Sequence, residues 1–373
     1  MVQFIDLAAQ YKKLKEDIDE NIHKVLNHGK YIMGPEVTEL EQKLAEYVGV
    51  KHCISCSNGT DALFMPLMAW GIGKGDAVFT TPFTFIATAE VVSLLGATPV
   101  FADIDEDTFN IDPVKFEEAI ERVISEGKLK PKAIIPVDLF GLPADYDRIE
   151  AIARKYGLKV LEDAAQGFGG VYKGRRAGSF GDVAGTSFFP AKPLGCYGDG
   201  GAIFTNDDEL AAVLKSIRVH GQGTNKYDNV RVGLNARLDT IQAAILLPKL
   251  KAFADYELDA RNRSAAMYAK GLKGVVKTPS VPEGLISSWA QYSVLANSGE
   301  EKAALQEKLK VEGIPTMVYY NKPLHLQTAY CGLGYAKGDF PVSEDVSSRV
   351  FSLPMHPYLE QDVVRMVINA ICK

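Results

Sequence analysis

Cysteine, tryptophan and long apolar runs are all scarce in this sequence. Its 373 residues include two tryptophans and five cysteines, the latter at 53, 56, 196, 331 and 372. That odd, sparse set excludes a disulfide-stapled miniprotein and implies free thiols in a reducing cytoplasm. No apolar run approaches the roughly 20 residues that a membrane helix needs. The opening MVQFIDLAAQYKKLKED lacks a signal-peptide core, so neither secretion nor a membrane anchor is expected. Basic surplus is missing too: 41 Lys and Arg face 47 Asp and Glu, a net charge of −6. That balance leaves no nucleic-acid footprint, although an anionic ligand can bind where cations gather locally. HExxH, a Ser-His-Asp signature and GxGxxG are absent, so a dehydrogenase reading has no fingerprint.

Minor signals carry little. Cys53 and Cys56 form a CxxC beside His52, but no second pair completes a zinc site. Residues three apart on a strand face opposite sides, so both thiols read as buried and inert. The acidic run 103–107 lacks calcium-loop spacing and reads as a solvated turn. His220 and His356 are candidate acid/base groups or ligands, with structural histidines as the alternative.

What is present is an ordinary globular composition, 47% apolar and 24% charged, with length for roughly two domains. Leu14, Ile18, Ile22, Val25 and Leu26 form a helical stripe, predicting a helix over 12–28 that Gly29 stops. A second helix is expected from Pro35 to Tyr47. Short apolar runs then alternate with helical stretches: HCISC (52–56), AVFTT (77–81), TPVFADI (98–104), AIIPV (133–137), LKVLED (158–163) and DVAGTSFF (182–189). This rhythm predicts a largely parallel sheet covered by helices. The runs are almost continuously apolar, as buried parallel strands should be. From about 238 the pattern turns helical. It then gives a strand at 291–296, a helix at 302–312, a strand at TMVYY (316–320) and a terminal helix at 361–371. The expected division is a large domain, 1–248, and a small α+β domain, 249–373, meeting at a rigid joint near 245–255.

Ligands of parallel α/β sheets bind beyond the carboxyl ends of the strands. Three stretches lie there. Ser57-Asn58-Gly59-Thr60-Asp61 opens a helix and offers free N–H groups, a hydroxyl and close backbone approach, a seat for phosphate; ordinary N-capping is the alternative. Asp163 ends an apolar strand, where a carboxylate needs a cation or strong donors; a structural ion pair or helix cap would also satisfy it. Lys192 follows a buried strand on a loop stiffened by Pro190 and Pro193, with glycines at 195, 198, 200 and 201. Desolvation there lowers a lysine's pKa and frees its amine for Schiff-base chemistry, whereas a lone lysine is ordinarily a solvated surface group. Phosphate seat, buried carboxylate and Schiff-base lysine together make a site for pyridoxal 5′-phosphate.

SNGTDAL, PFTFIATAE, PVDLFG, EDAAQGFG, TSFFPAKPLGCYGDGGAIFTND, RVGLNARLDTIQAAIL and SLPMHP read together as one set of motifs. In them the chain resembles, over essentially its whole length, the DegT/DnrJ/EryC1/StrS sugar aminotransferases of the aspartate-aminotransferase (fold type I) group. SFFPAKPLGCYGDGG and LPMHPYL are most similar to members acting on UDP-linked 2-acetamido-3-keto-hexuronic acid. The resemblance implies a PLP-dependent transferase fold of the α/β class, with a mostly parallel seven-stranded sheet.

It also implies roles. Lys192 would bind the cofactor and shuttle the proton. Asp163 would pair with the pyridinium, and Gln166 would bond near the ring's O3′. Gly59, Thr60 and Ser187 would hold the phosphate, and Phe85 would stack on the ring. Asn235 would reach the cofactor phosphate of the neighbouring subunit in a cytoplasmic homodimer with shared sites. Arg237 would bind a substrate carboxylate through its bidentate fork, with an ion pair as the alternative. The implied reaction moves an amino group from L-glutamate to a UDP-linked keto-sugar, for surface-polysaccharide synthesis such as lipopolysaccharide O-antigen. One departure stands out: relatives carry His followed by Tyr-Pro where this chain has Tyr319-Tyr320-Asn321, so either Tyr319 would substitute in substrate binding or the substrate differs. Dehydratases of the family have His in place of the lysine, against which Lys192 argues. A non-catalytic PLP- or sugar-nucleotide-binding regulator and an aminotransferase for 4-keto-6-deoxy sugars are the alternatives.

Overall fold

The computed structural model describes residues 2–225 and 227–373. Helices α1 (Leu7–His28) and α2 (Pro35–Val48) come first. Asp6 caps α1 by accepting the Ala9 N–H at 2.8 Å, five residues before the expected start. Gly29 ends α1 in the left-handed conformation, as its position in sequence suggested. Strands and helices then alternate: β1 (His52–Cys56), α3 (Gly59–Ala69), β2 (Asp76–Thr80), α4 (Ala87–Leu94), β3 (Thr98–Phe101), α5 (Pro113–Glu126), β4 (Lys130–Ile134), α6 (Tyr146–Tyr156) and β5 (Lys159–Asp163). The short strands β6 (Val171–Tyr172) and β7 (Arg175–Arg176) precede β8 (Val183–Ser187), β9 (Gly201–Thr205) and α7 (Asp208–Ile217).

Seven of these strands form one sheet in the order β1-β9-β8-β5-β4-β2-β3. From β3 through β2, β4 and β5 to β8 every pairing is parallel. β9 runs antiparallel to both β8 and β1. Crossover helices cover both faces, which is why the strands are apolar on successive residues. The CxxC shows this directly. Cys53 enters the core built from α2 and α8 (Thr240–Ala252), while Cys56 enters the opposite core beneath α3. Burial raises both thiols, which fits inert core residues.

The helical stretch after 238 has no break. α8 passes through one π-helical turn, Phe253–Glu257, into α9 (Leu258–Gly271). The expected joint therefore falls inside continuous helix. Pro248 lies within α8 and has no N–H for the Ala244 carbonyl. Asn21 of α1 supplies the donor instead, at 3.3 Å. Beyond it, β10 (Leu285–Ile286) joins the β6–β7 ribbon, and β11 (Tyr292–Leu295) pairs with β12 (Val350–Leu353). Helices α10 (Gly299–Val311), α11 (Pro341–Arg349) and α12 (Gln361–Cys372) complete this region, which buries Tyr268, Tyr292, Phe351 and Val367.

Two expectations fail here. TMVYY forms no strand; Met317 alone makes an isolated bridge, to Ser352. Its strand-forming residues pack side chains instead, with Val318, Tyr319 and Tyr320 against Phe83 and Phe140. Tertiary packing outweighs local β preference. The run 103–107 is not wholly a solvated turn either. Asp103 is buried, and its oxygens accept the Val342 and Ser343 N–H groups at 3.0 Å, where a negative charge suits the start of α11. Among the described residues no helix is long and apolar enough to cross a membrane.

Candidate active site

Asp163 is the last residue of β5 and is 5% exposed. Its Oδ2 accepts from Thr88 Oγ1 at 2.9 Å, and its Oδ1 accepts the Ala165 N–H at 3.1 Å. Thr88 in turn lies 3.1 Å from Thr84 Oγ1. Burial pushes the Asp163 carboxyl above its usual range; these donors and the Lys192 charge oppose that. Lys192 sits on the turn after β8, its N–H donating to the Phe189 carbonyl at 2.9 Å. Burial lowers the Lys192 pKa, and the Asp163 charge opposes it. The two groups act on each other, so the structure brings the lysine and the carboxylate to one place. Gly195 makes the tight loop possible, because a Cβ there would lie 2.6 Å from the Phe189 carbonyl oxygen.

The candidate phosphate seat is built across two elements. Gly59 opens α3, and Asn58 caps it by accepting the Asp61 N–H at 2.8 Å. Both sequence readings of this loop are thus compatible, since capping leaves other first-turn N–H groups free. Gly59 also touches the end of β8: an added Cβ would lie 2.6 Å from Ser187 Cβ and 3.0 Å from its Oγ. Gly59, Thr60 and Ser187 therefore form one small cradle.

Gln166 is buried. Its Oε1 accepts the Phe140 N–H at 2.8 Å, and its Nε2 donates to the Tyr320 hydroxyl at 3.1 Å. Tyr320, the neighbour of the substrate-binding candidate Tyr319, is the tyrosine that reaches this group. A buried tyrosine needs a hydroxyl partner, and the doubled Tyr319-Tyr320 was the only hint. Tyr319 is half-buried between Phe4 and Tyr320, with ring centroids 6.4 and 5.9 Å away. Phe85 is 55% exposed, its ring centroid 6.3 Å from that of Tyr320, so an open aromatic face borders the site. Thr88 was missed as an individual residue, although it lies in the PFTFIATAE stretch.

Asn235 is exposed and bridges only to Val219 through its backbone. Arg237 is half-buried, with its Nε buried and unbonded. Neither is joined to Lys192 or Asp163 by a hydrogen bond or ion pair within the single chain. His220 takes a left-handed backbone with φ of 62°, and its carbonyl accepts from Asn229 at 2.8 Å. His356 shares the wall of a small cavity with Lys192, Arg261 and Tyr358. Burial and the Arg261 charge push its pKa down to about 4, so it is neutral at pH 7.

A mainly parallel α/β sheet that places a desolvated lysine, a buried aspartate and a helix N-terminus at its carboxyl edge is the frame of a group-transfer enzyme. The DegT/DnrJ/EryC1/StrS aminotransferase family model matches residues 12–372, and the chain belongs to that family. A Pseudomonas aeruginosa protein named UDP-2-acetamido-2-deoxy-3-oxo-D-glucuronate aminotransferase is 52% identical over 372 residues, covering 100% of this chain and 99% of its own. A crystal structure of a DegT DnrJ EryC1 StrS aminotransferase from Brucella abortus is 55% identical, with a TM-score of 0.97 over 100% of this chain and 99% of its own. NtdA from Bacillus subtilis, with bound PMP cofactor, is 33% identical, with a TM-score of 0.88 over 99% of this chain and 83% of its own.

Proposed function

We propose that this protein is a PLP-dependent aminotransferase acting on a nucleotide-linked keto-sugar. The acceptor is UDP-2-acetamido-3-keto-glucuronic acid, the donor L-glutamate, and the product feeds a surface polysaccharide such as O-antigen. The observation that carries the chemistry is the mutual placement of Lys192 and Asp163 beside the Gly59–Ser187 cradle. The named acceptor of the 52% identical relative supports the sugar.

The residues present fit the cofactor. The α3 N-terminus at Gly59 and Thr60, with the Ser187 hydroxyl, suits a phosphate dianion. Asp163 suits the ring nitrogen, Gln166 the ring oxygen side and Phe85 the ring face. When bound, the cofactor supplies an electron sink for the carbon that loses a proton. Lys192 Nζ, whose pKa burial lowers, takes that proton and returns it. The Thr88 and Ala165 donors favour the ionised form of Asp163, which would set the charge of the ring nitrogen. Arg237 would hold a substrate carboxylate and Tyr319 would border the sugar nucleotide. In a homodimer, the exposed Asn235 would complete the neighbouring subunit's phosphate seat.

The test is the visible spectrum of the purified protein with PLP, before and after excess L-glutamate. Loss of the lysine-bound cofactor band with stoichiometric 2-oxoglutarate is the expected result. Bound cofactor without donor turnover would point to the regulator, and preference for a 4-keto-6-deoxy acceptor would reassign the sugar.

A further inference from the structure

Behind Asp163 lies a second pair of carboxyl groups that the transfer chemistry does not use. Asp138 and Glu162 are both fully buried. Neighbouring strand residues face opposite sides, so Glu162 points away from the face that Asp163 takes. Glu162 Oε1 accepts the Gly178 N–H at 2.6 Å, and Oε2 accepts the Phe180 N–H at 2.8 Å. Asp138 Oδ1 accepts the Ala144 N–H at 3.0 Å and the Tyr146 hydroxyl at 2.7 Å. The parallel bridge of Val137 to Asp163 puts the Asp138 and Glu162 side chains on one face, where the two carboxyls act on each other. Tyr146 from α6 and Asp163 from β5 face the pair; no lysine, arginine or histidine is among the groups acting on it. Burial pushes both carboxyls upward.

A hydrogen bond between two carboxyl oxygens needs a proton on one of them. Both Glu162 oxygens receive N–H donors, and among the described residues no donor reaches the buried Asp138 Oδ2. Burial raises Glu162 further than Asp138, which assigns the acid O–H to Glu162 and makes the unpartnered Asp138 Oδ2 its acceptor. We propose that Asp138 and Glu162 are a one-proton dyad, carrying a single negative charge, that positions Asp163 and Gln166.

The route is short. The Asp138 N–H donates to the Asp163 carbonyl at 3.1 Å. The Asp138 side chain ties down the turn that offers the Phe140 N–H to Gln166. Phe140 holds a φ of 58°, uncommon for a bulky residue, so this turn needs an anchor. Gly167, next to Gln166, lies against the dyad: a Cβ there would be 2.4 Å from Asp138 Oδ2. Only a proton moves in this proposal. Hydroxide removes it at alkaline pH, and the dyad's charge goes from −1 to −2 beside Asp163.

Asp138→Asn tests this, because its amide can donate to an ionised Glu162 while its oxygen still accepts from Ala144 and Tyr146. At about pH 8 ordinary Asp and Glu are ionised. Infrared spectra of the wild type should then show a protonated-carboxyl C=O band. Glutamate labelled with carbon-13 should shift that band, and Asp138→Asn should remove it. The folded state keeps a proton that the unfolded chain releases in the ordinary carboxylate range. Stability should therefore fall as pH rises above that range, by up to tenfold in folding constant per pH unit, and Asp138→Asn should flatten the fall. PLP affinity should decline along the same alkaline limb in the wild type and hold further in the variant. A missing band, or one that survives Asp138→Asn, would overturn the dyad. An identical alkaline decline of PLP affinity in both proteins would overturn the positioning role. Should the variant not fold, the labelled-glutamate spectrum of the wild type decides. These carboxyls belong to the chain itself, so failure here would leave the aminotransferase reading, tested through Lys192, in place.

Discussion

Replacing Gly59 by alanine separates the phosphate cradle from the stability of the fold. The new Cβ would lie 2.6 Å from Ser187 Cβ, 3.3 Å from its Cα and 3.0 Å from its Oγ. Carbon atoms in contact prefer about 3.5–4.0 Å, so α3 and β8 must part by roughly 1 Å. Overpacking of this kind costs about 1–3 kcal/mol. Gly59 does not use a left-handed backbone, and alanine is the better helix former by about 0.8–1.0 kcal/mol. The two effects oppose each other in folding stability, and only the first acts on the cradle. Gly59→Ala should therefore melt within a few degrees of the wild type but bind PLP about 5- to 150-fold more weakly. Absorbance titration with PLP and thermal unfolding without it measure the two sides. The sharper check is the second substitution. Ser187→Ala keeps the offending Cβ and should relieve nothing, whereas Ser187→Gly removes it. On Gly59→Ala, Ser187→Gly should cost less affinity than it does alone. Strict additivity of the two losses would refute the steric argument.

Lys192→Ala should fold, bind PLP without the lysine-bound absorbance and release no 2-oxoglutarate; normal turnover by that variant would sink the assignment. His356 is buried neutral, with its pKa lowered from 6.5 to about 4. Its contribution is present above the unfolded pKa and is lost as pH falls from about 6.5 to about 4, by up to about 3 kcal/mol. Denaturant melts across that window should show a shallower acid limb for His356→Gln. Asn21→Ala removes the donor that serves the Ala244 carbonyl across from Pro248, at a cost of about 1 kcal/mol. In a Pro248→Ala background the helix supplies its own N–H, and the same change should be nearly neutral; an equal cost in both backgrounds would contradict this account of the proline.

Much of the frame was legible because its signals are local. The six apolar runs predicted between 52 and 189 all became strands of the main sheet. Buried parallel strands cannot alternate, and their turns mark themselves with Gly, Pro and Asn. Lys192 and Asp163 were legible for the same reason, as charged residues at the ends of apolar strands. What was not legible depends on long-range contact. TMVYY reads as a strand by composition, yet the aromatic cluster around Phe83 claims its side chains. Asp103 reads as solvated, yet α11 arrives more than 200 residues later to be capped by it. Tyr320 and Thr88 became visible only when the fold set their hydroxyls against Gln166 and Asp163.

Burial acts on the two central groups in opposite directions, raising Asp163 and lowering Lys192, while each group's charge restrains the shift of the other. Burial alone favours the neutral form of each. The protein resolves this asymmetrically. Asp163 has two further donors, from Thr88 and Ala165, that favour its ionised form whether or not Lys192 is charged. Lys192 has a backbone contact to Phe189 but, among the described residues, no acceptor for its amine beyond the field of Asp163. The carboxylate is thus fixed and the lysine is free to change state. The proposed transfer uses that division, because in it Asp163 would hold a charge throughout the cycle while Lys192 would give and take a proton.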